Sequence, residues 1–292
     1  MGVLLYFEDE TPMAQALAQA AGLRAQCVVR HRFPDGELRL RLPEALPPRV
    51  VLLRSLHQPN EKLTELLLVA QTARTLGATH LTLVAPYLAY MRQDMAFSPG
   101  EAVSQRIVGR FLAGLFDALL TVDPHLHRVA TLQEAVPLAQ ARVVSGALAL
   151  GAWVAAQLDQ PMLIGPDSES LAWVRQAAQA HGFDHAVCHK ERHGDRQVQI
   201  VLPPCRVQGR QVVLIDDVAS SGRTLAEAAR LLLQAGAASV DVAVTHALLA
   251  DDALEVMHQA GIRHVWSADT IAHPSNVVHL ATVLAEALPR PD

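Results

Sequence analysis

Val212-Val213-Leu214-Ile215-Asp216-Asp217-Val218-Ala219-Ser220-Ser221-Gly222-Arg223-Thr224-Leu225 is the stretch on which the reading of this chain turns. Four apolar residues predict a buried strand, two carboxylates follow at its carboxyl end, and a small hydroxyl-rich loop runs straight into a helical pattern. In open α/β sheets, ligands bind where strands end and helices begin. Backbone N–H groups at the helix start, together with the hydroxyls of Ser220, Ser221 and Thr224, suit a phosphate. Asp216 and Asp217 repel a phosphate, so they are expected to face something else, and acceptor-only carboxylates suit vicinal ribose hydroxyls. The competing reading of the Asp pair alone is a strand end whose carboxylates cap the helix. No GxxxxGK[ST] occurs, so the loop is not of the Walker type.

Outward from this loop, short apolar runs alternate with helical patterns. In the first half, Val50–Leu53, Leu81–Ala85 and Ala118–Val122 read as strands. A helix capped at Asn60 and ended by Gly77 lies between the first two, and another, from about Glu101 to Ala113, lies between the last two. In the second half, Pro161–Gly165 reads as a strand and Ser168–Ala180 as a helix. Asp184–His189 and the hairpin candidate Val198–Leu202 follow. Gln211–Ile215 reads as a strand, Thr224–Gln234 as a helix, Val240–Val244 as a strand, and Asn276–Leu288 as a last amphipathic helix. This rhythm predicts βαβ units in two similar α/β halves, each a mainly parallel sheet flanked by helices. The halves, 1–145 and 146–292, join near Ser145-Gly146, and the last helix is free to pack back on the first.

Composition narrows the function. The 292 residues are 51% hydrophobic and 18% charged, enough for a sizeable core and too apolar for disorder. A net charge of −5 without Lys/Arg clusters is a poor grip for a nucleic-acid backbone, so an anion must be held by local devices. Cys27, Cys188 and Cys205 form no CxxC, which argues against a disulfide framework or a cysteine zinc site. The N-terminus reaches Glu8-Asp9-Glu10 without a basic or long apolar region, and no stretch approaches the roughly 18–20 apolar residues of a membrane span. A cytoplasmic protein is expected, with no membrane partner and no nucleic acid.

Six further segments, taken in order with the loop, carry a resemblance. They are Arg32-Phe33-Pro34-Asp35-Gly36-Glu37, Pro86 to Asp94 with its Arg92-Gln93-Asp94, Thr121-Val122-Asp123-Pro124-His125, Gly165-Pro166-Asp167, Lys190-Glu191-Arg192, and Asp269 to Asn276. Over nearly its full length the chain resembles the ribose-phosphate diphosphokinases, which make 5-phosphoribosyl 1-diphosphate for nucleotide biosynthesis. The resemblance implies two domains of phosphoribosyltransferase type and assembly into homodimers or hexamers. It implies transfer of the β,γ-diphosphoryl group of ATP to the anomeric hydroxyl of ribose 5-phosphate, an ATP-binding first half, and Mg2+.

Residue roles follow by the same resemblance. Phe33, Asp35 and Glu37 are implied to reach the ATP of a neighbouring subunit, where a ring can stack on a purine and carboxylates can accept from its amine or from ribose. A Pro-Asp-Gly turn followed by an alternating strand is compatible with that role. Arg92, Gln93 and Asp94 are implied to bind ATP, and His125 and Asp167 to hold the magnesium. Asp216, Asp217, Ser220, Ser221, Gly222, Arg223 and Thr224 are implied to bind ribose 5-phosphate. Lys190 and Arg192 are implied to be catalytic, at the base of a loop that closes over the transferring group. Read without the family, they form a solvated charge cluster.

The pattern departs from the family in places. Met95 stands where a cation is common, and Arg223 stands where a small residue is common. The Phe97–Ser104 and His273–Asn276 segments resemble the shorter, archaeal-type members, and the chain ends without the tail that helps form the allosteric ADP site of long forms. ADP is therefore expected to inhibit only by competing with ATP. Two alternatives stand beside the main reading: a base phosphoribosyltransferase, which shares the loop but needs no ATP site, and a non-catalytic regulatory subunit of a synthetase.

Overall fold

A computed structural model of the protein describes residues 2–126, 128–193, 197–250 and 252–289, with no side-chain description over 190–199. The chain divides into two compact units, Met1–Val144 with Ala281–Asp292, and Ser145–Leu280.

The first unit begins with β1 (Val3–Tyr6), α1 (Thr11–Ala21), β2 (Arg24–Cys27), β3 (Val29–Arg32) and β4 (Leu38–Arg41). It continues through β5 (Arg49–Leu53), α2 (Pro59–Thr75), β6 (His80–Ala85), α3 (Ser104–Leu115), β7 (Ala118–Val122), α4 (Leu132–Ala135) and β8 (Gln140–Val144). Its sheet runs β2-β1-β5-β6-β7-β8, with every pair parallel. The central strands are apolar on both faces, as a parallel sheet covered by helices requires: all five residues of β7 are buried. β3 and β4 stand apart as an antiparallel hairpin, with Arg32 opposite Leu38.

The second unit repeats this order. It holds α5 (Ala147–Gln157), β9 (Met162–Gly165), α6 (Leu171–Gln179), β10 (His185–Val187), the hairpin strands β11 (His189–His193) and β12 (Gln197–Val201), and β13 (Gln211–Ala219). Then come α7 (Arg223–Gln234), β14 (Ser239–Ala247), α8 (Ala253–Gln259), β15 (Ile262–Ala268) and β16 (Asn276–Val278), while α9 (Ala281–Ala287) belongs to the first unit. Its parallel sheet runs β10-β9-β13-β14-β15-β16. The antiparallel pair β11–β12 occupies the place in the second unit that β3–β4 occupies in the first.

Several boundaries differ from the sequence reading. The strand read as Gln211–Ile215 continues to Ala219, because its partner β14 runs to Ala247 and pairs with it through the Asp residues. The helix read over Asn276–Leu288 is a short strand followed by α9. The Asn276 side chain donates to Ser267 Oγ and to the Ala268 carbonyl, both at 2.9 Å, which holds Asn276–Val278 against β15. α3 starts at Ser104 rather than Glu101, whose carboxylate accepts the Phe97 amide at 2.7 Å in a preceding turn. α2 opens at Pro59, with Gln58 at φ 51° in the left-handed region, so Asn60 lies inside the helix and is not its cap.

Candidate active site

In each sheet the chain leaves two adjacent strands in opposite directions, and the crevice between their carboxyl ends is where an α/β fold binds ligands. In the second unit those strands are β9 and β13.

β9 ends in Gly165-Pro166-Asp167. A Cβ on Gly165 falls 2.0 Å from Ser170 Oγ, so only glycine lets the next turn fold back this closely. Ser170 Oγ donates to the Asp167 carbonyl at 2.6 Å, and the Asp167 carboxylate accepts the Glu169 amide at 3.0 Å. Asp216 and Asp217 ride on the last turns of β13. Asp217 is buried, and its amide donates to Asp216 Oδ1 at 3.0 Å. Burial first, and then the nearby Asp217 and Asp167 carboxylates, push the Asp216 carboxyl well above its ordinary range. Asp167, Asp216 and Asp217 are thus brought together.

Beyond β13 the loop Ser220-Ser221 is exposed, and its Ser220 carbonyl accepts the Ala250 amide at 3.0 Å. Gly222 enters α7 at φ 68°, where an added Cβ meets Met257 Cγ at 3.0 Å and the Ala253 carbonyl at 3.1 Å. Gly222, the N-cap of α7, carries no side chain to cap it, and the leading N–H groups of a helix suit an anion. Arg223 is exposed and Thr224 half-buried at that helix start.

Lys190 and Arg192 fall on β11, in register with Ile200 and Val198, and their side chains lie outside the described residues.

In the first unit, Arg92 is exposed and Gln93 half-buried in the loop after β6. Gln93 Nε2 donates to the Met95 carbonyl at 3.1 Å, and the wholly buried Gln105 donates to the Met91 carbonyl at 3.1 Å. The Asp94 carboxylate is turned inward: it accepts from the Arg128 amide at 3.2 Å and from the Arg128 guanidinium at 2.7 Å. Asp94 therefore ties this loop to the one that carries His125. Two residues with side chains sit at positive φ there, Tyr90 at 62° and Asp123 at 35°, and such strain collects at functional loops. Tyr90 and Asp123 lie in segments the sequence reading singled out, but their strain leaves no signal there, and Arg128, paired across 34 residues, escapes that reading altogether.

Phe33 to Glu37 form the turn of the β3–β4 hairpin. Gly36 sits at φ 94°, its amide donating to the Phe33 carbonyl at 2.9 Å, which is the three-residue loop that Pro-Asp-Gly favours. Asp35 Oδ1 accepts the Glu37 amide at 3.1 Å, so one of its oxygens serves the turn. The Phe33 ring is partly exposed, edge-on to His31 at 4.9 Å and under the Arg39 guanidinium at 5.9 Å.

Among the described residues, no three His, Cys, Asp or Glu side chains converge into a metal cage. Magnesium does not need one: it keeps several waters and takes one or two carboxylates plus substrate phosphates. The Asp167 carboxylate, near enough to Asp216 to raise it, is an oxygen donor of the kind such an ion takes.

A family model described as the N-terminal domain of ribose phosphate pyrophosphokinase matches residues 3–115, and one described as the phosphoribosyl transferase domain matches residues 146–285. The ribose-phosphate pyrophosphokinase of Methanopyrus kandleri is 35% identical over 290 residues, covering 98% of each chain. This chain belongs to the ribose-phosphate pyrophosphokinase family. The enzyme of the same name from Halobacterium salinarum is 34% identical over 98% of this chain and 100% of its own. The crystal structure of phosphoribosylpyrophosphate synthetase from Mycobacterium smegmatis covers 97% of this chain and 96% of its own with a TM-score of 0.84 at 24% identity, which establishes the shared fold. The family is one of enzymes built from two phosphoribosyltransferase-type domains, as the sequence reading expects. No described helix is long and apolar enough to cross a membrane.

Proposed function

We propose that this ribose-phosphate pyrophosphokinase transfers the diphosphoryl group of ATP to ribose 5-phosphate. The anomeric oxygen attacks the β-phosphorus, the bond between the β-phosphorus and the α,β-bridging oxygen breaks, and AMP leaves with that oxygen. The anomeric proton goes to solvent. The observation that carries this reading is the full-length match to enzymes of this name, covering the first-half domain that a base phosphoribosyltransferase does not need.

The residue roles are those the family resemblance implies. The α7 start with Ser220, Ser221, Gly222, Arg223 and Thr224 holds the 5-phosphate, and Asp216 and Asp217 orient the ribose hydroxyls. Arg92 and Gln93 hold ATP, with Asp94 fixing their loop through Arg128. Phe33, Asp35 and Glu37 contact the adenosine of a neighbouring copy in a homo-oligomer. Lys190 and Arg192 stabilise charge on the transferring group, the kind of contact whose loss typically costs about 2.7–4 kcal/mol. By the resemblance, Asp167 and His125 are the residues that would each offer a ligand to Mg2+, which when bound would neutralise phosphate charge. The protein works in the cytoplasm.

Purified protein given ATP, ribose 5-phosphate and Mg2+ should release AMP and 5-phosphoribosyl 1-diphosphate in equal amounts. No AMP from the protein alone, with AMP appearing only after mixing with a second synthetase subunit, would point to the regulatory alternative.

A further inference from the structure

The first unit has its own crevice between oppositely leaving strands, at the carboxyl ends of β1 and β5, and no part of the proposed chemistry uses it. It is a cleft of about 280 Å³ whose lining includes Asp9, Arg30, Arg32, Arg54, His57 and Lys62. Its guanidinium groups already meet carboxylates. Arg54, 1% exposed, donates from Nε to Glu65 at 2.7 Å and from a terminal nitrogen to Asp9 at 2.7 Å, and its guanidinium stacks over Phe7 at 4.5 Å. Glu65, wholly buried on α2, also accepts from Arg30 of β3. One turn earlier on α2, Glu61 accepts from Arg32 of the same strand.

These pairs join two elements that the sheet does not connect. β3 is exposed along its whole length and its only ladder is to β4 among the described strands. Arg30 and Arg32 share one face of β3 by the strand period of two, and Glu61 and Glu65 share one face of α2 by the helical i,i+4 spacing. The two faces meet as a double latch at the end of β3 next to Phe33. Glu65 cannot swing away, because Arg54 holds its other oxygen from the core side.

We infer that Glu61 and Glu65 are positioning residues for the hairpin tip, acting through Arg32 and Arg30 to set where Phe33, Asp35 and Glu37 meet the nucleotide. The inference rests on the proposed role of that tip in ATP binding. The crevice of the first unit is lined by the chain's own ion pairs, and these orient the ATP-contacting hairpin.

The test is steady-state kinetics with ATP and ribose 5-phosphate varied separately, with Phe33→Ala as the reference. Arg30→Met leaves Glu65 paired with Arg54, and melting curves check that the fold is kept. The exposed Arg32→Met alone should raise the KM for ATP about two- to fivefold, the scale of a solvated pair. The double variant Arg30→Met/Arg32→Met should raise it about tenfold, with kcat and the KM for ribose 5-phosphate within about twofold of wild type. The charge-swapped Arg32→Glu/Glu61→Arg should restore the Arg32→Met loss.

A KM for ATP unmoved by the arginine variants, while Phe33→Ala raises it, overturns the latch and spares the tip. An unmoved KM in Phe33→Ala overturns both. A swap no better than Arg32→Met overturns positioning, since the charge of Arg32 itself would then be what ATP feels.

Discussion

Asp217 lies 3% exposed at the end of a central strand, beside two more carboxylates. An ionised carboxylate is acceptor-only, and the vicinal hydroxyls of a ribose are donors suited to it. Asp217→Ala removes that acceptor, and a hydrogen bond to a charged group is worth roughly 1.5–3 kcal/mol. The KM for ribose 5-phosphate should rise by about 10- to 100-fold while that for ATP stays near wild type. A change confined to ATP would mean that the loop faces the other substrate. His57 offers a second residue-scale test. Burial, with the Lys62 ammonium within 3.3 Å and Arg54 nearby, lowers its pKa to about 4. The unfolded chain takes up a proton near pH 6.5 that the fold refuses until about pH 4, so this group's stabilisation is present above 6.5 and is lost as pH falls through that window. His57→Gln has no proton to take up. Wild type should therefore lose about 1–2 kcal/mol relative to it between pH 6.5 and 4, a figure discounted for the ring's partial exposure and read from urea midpoints. Parallel pH profiles would show that His57 is not held neutral.

At the scale of elements, the second half was more legible than the first because its signals are local. The run Val212–Ile215, the Asp pair and the small loop announce a strand and a helix start within fourteen residues, and the fold keeps both. The end of β13 was not legible, since it is set by β14, about 25 residues later in the chain. The same holds for β16: Asn276-Val277-Val278 fits a helical period, but contacts of the Asn276 side chain with β15 make it a strand. β2, Arg24-Ala25-Gln26-Cys27, is a four-residue edge strand whose alternation rests on Ala25 and Cys27 alone, too short a pattern to read. The α2 latch was invisible for a different reason: charged residues at i and i+4 on a helix look like a solvated face, and only the fold shows that Glu65 is wholly buried. Gly222 tests the join between loop and helix. It must adopt φ 68° and leave room for Met257, so Gly222→Ala both strains the backbone and pushes on α8. We expect a loss of about 1–2 kcal/mol in stability together with weaker ribose 5-phosphate binding, read by melting and by KM. Weakened stability with an unchanged KM would separate the glycine's structural role from the phosphate cup.

Across the whole molecule, the two units have separate cores but not separate stretches of chain. After residue 280 the chain returns to the first unit, where α9 packs against α1 and β8. Leu284 and Leu288 are buried there, and the segment is tied by Arg49 to the Pro289 carbonyl at 2.9 Å and by Arg142 to the Ala287 carbonyl at 3.3 Å. The buried residues of α1 are Ala14, Leu17 and Ala18, a small apolar set for a helix that packs against α9. Burying a leucine is worth about 1.5–3 kcal/mol, so removing residues 281–292 strips roughly 3–6 kcal/mol from the first unit and little from the second. That is a large share of the stability of a domain this size, typically about 5–15 kcal/mol. Hydrogen exchange of the truncated chain should therefore speed up by several hundredfold or more in α1, β1 and β8, while β13 and β14 keep their protection. Equal loss in both sheets would mean that the two units unfold as one, and protection retained in β1 would mean that α9 is an ornament on a core that stands without it.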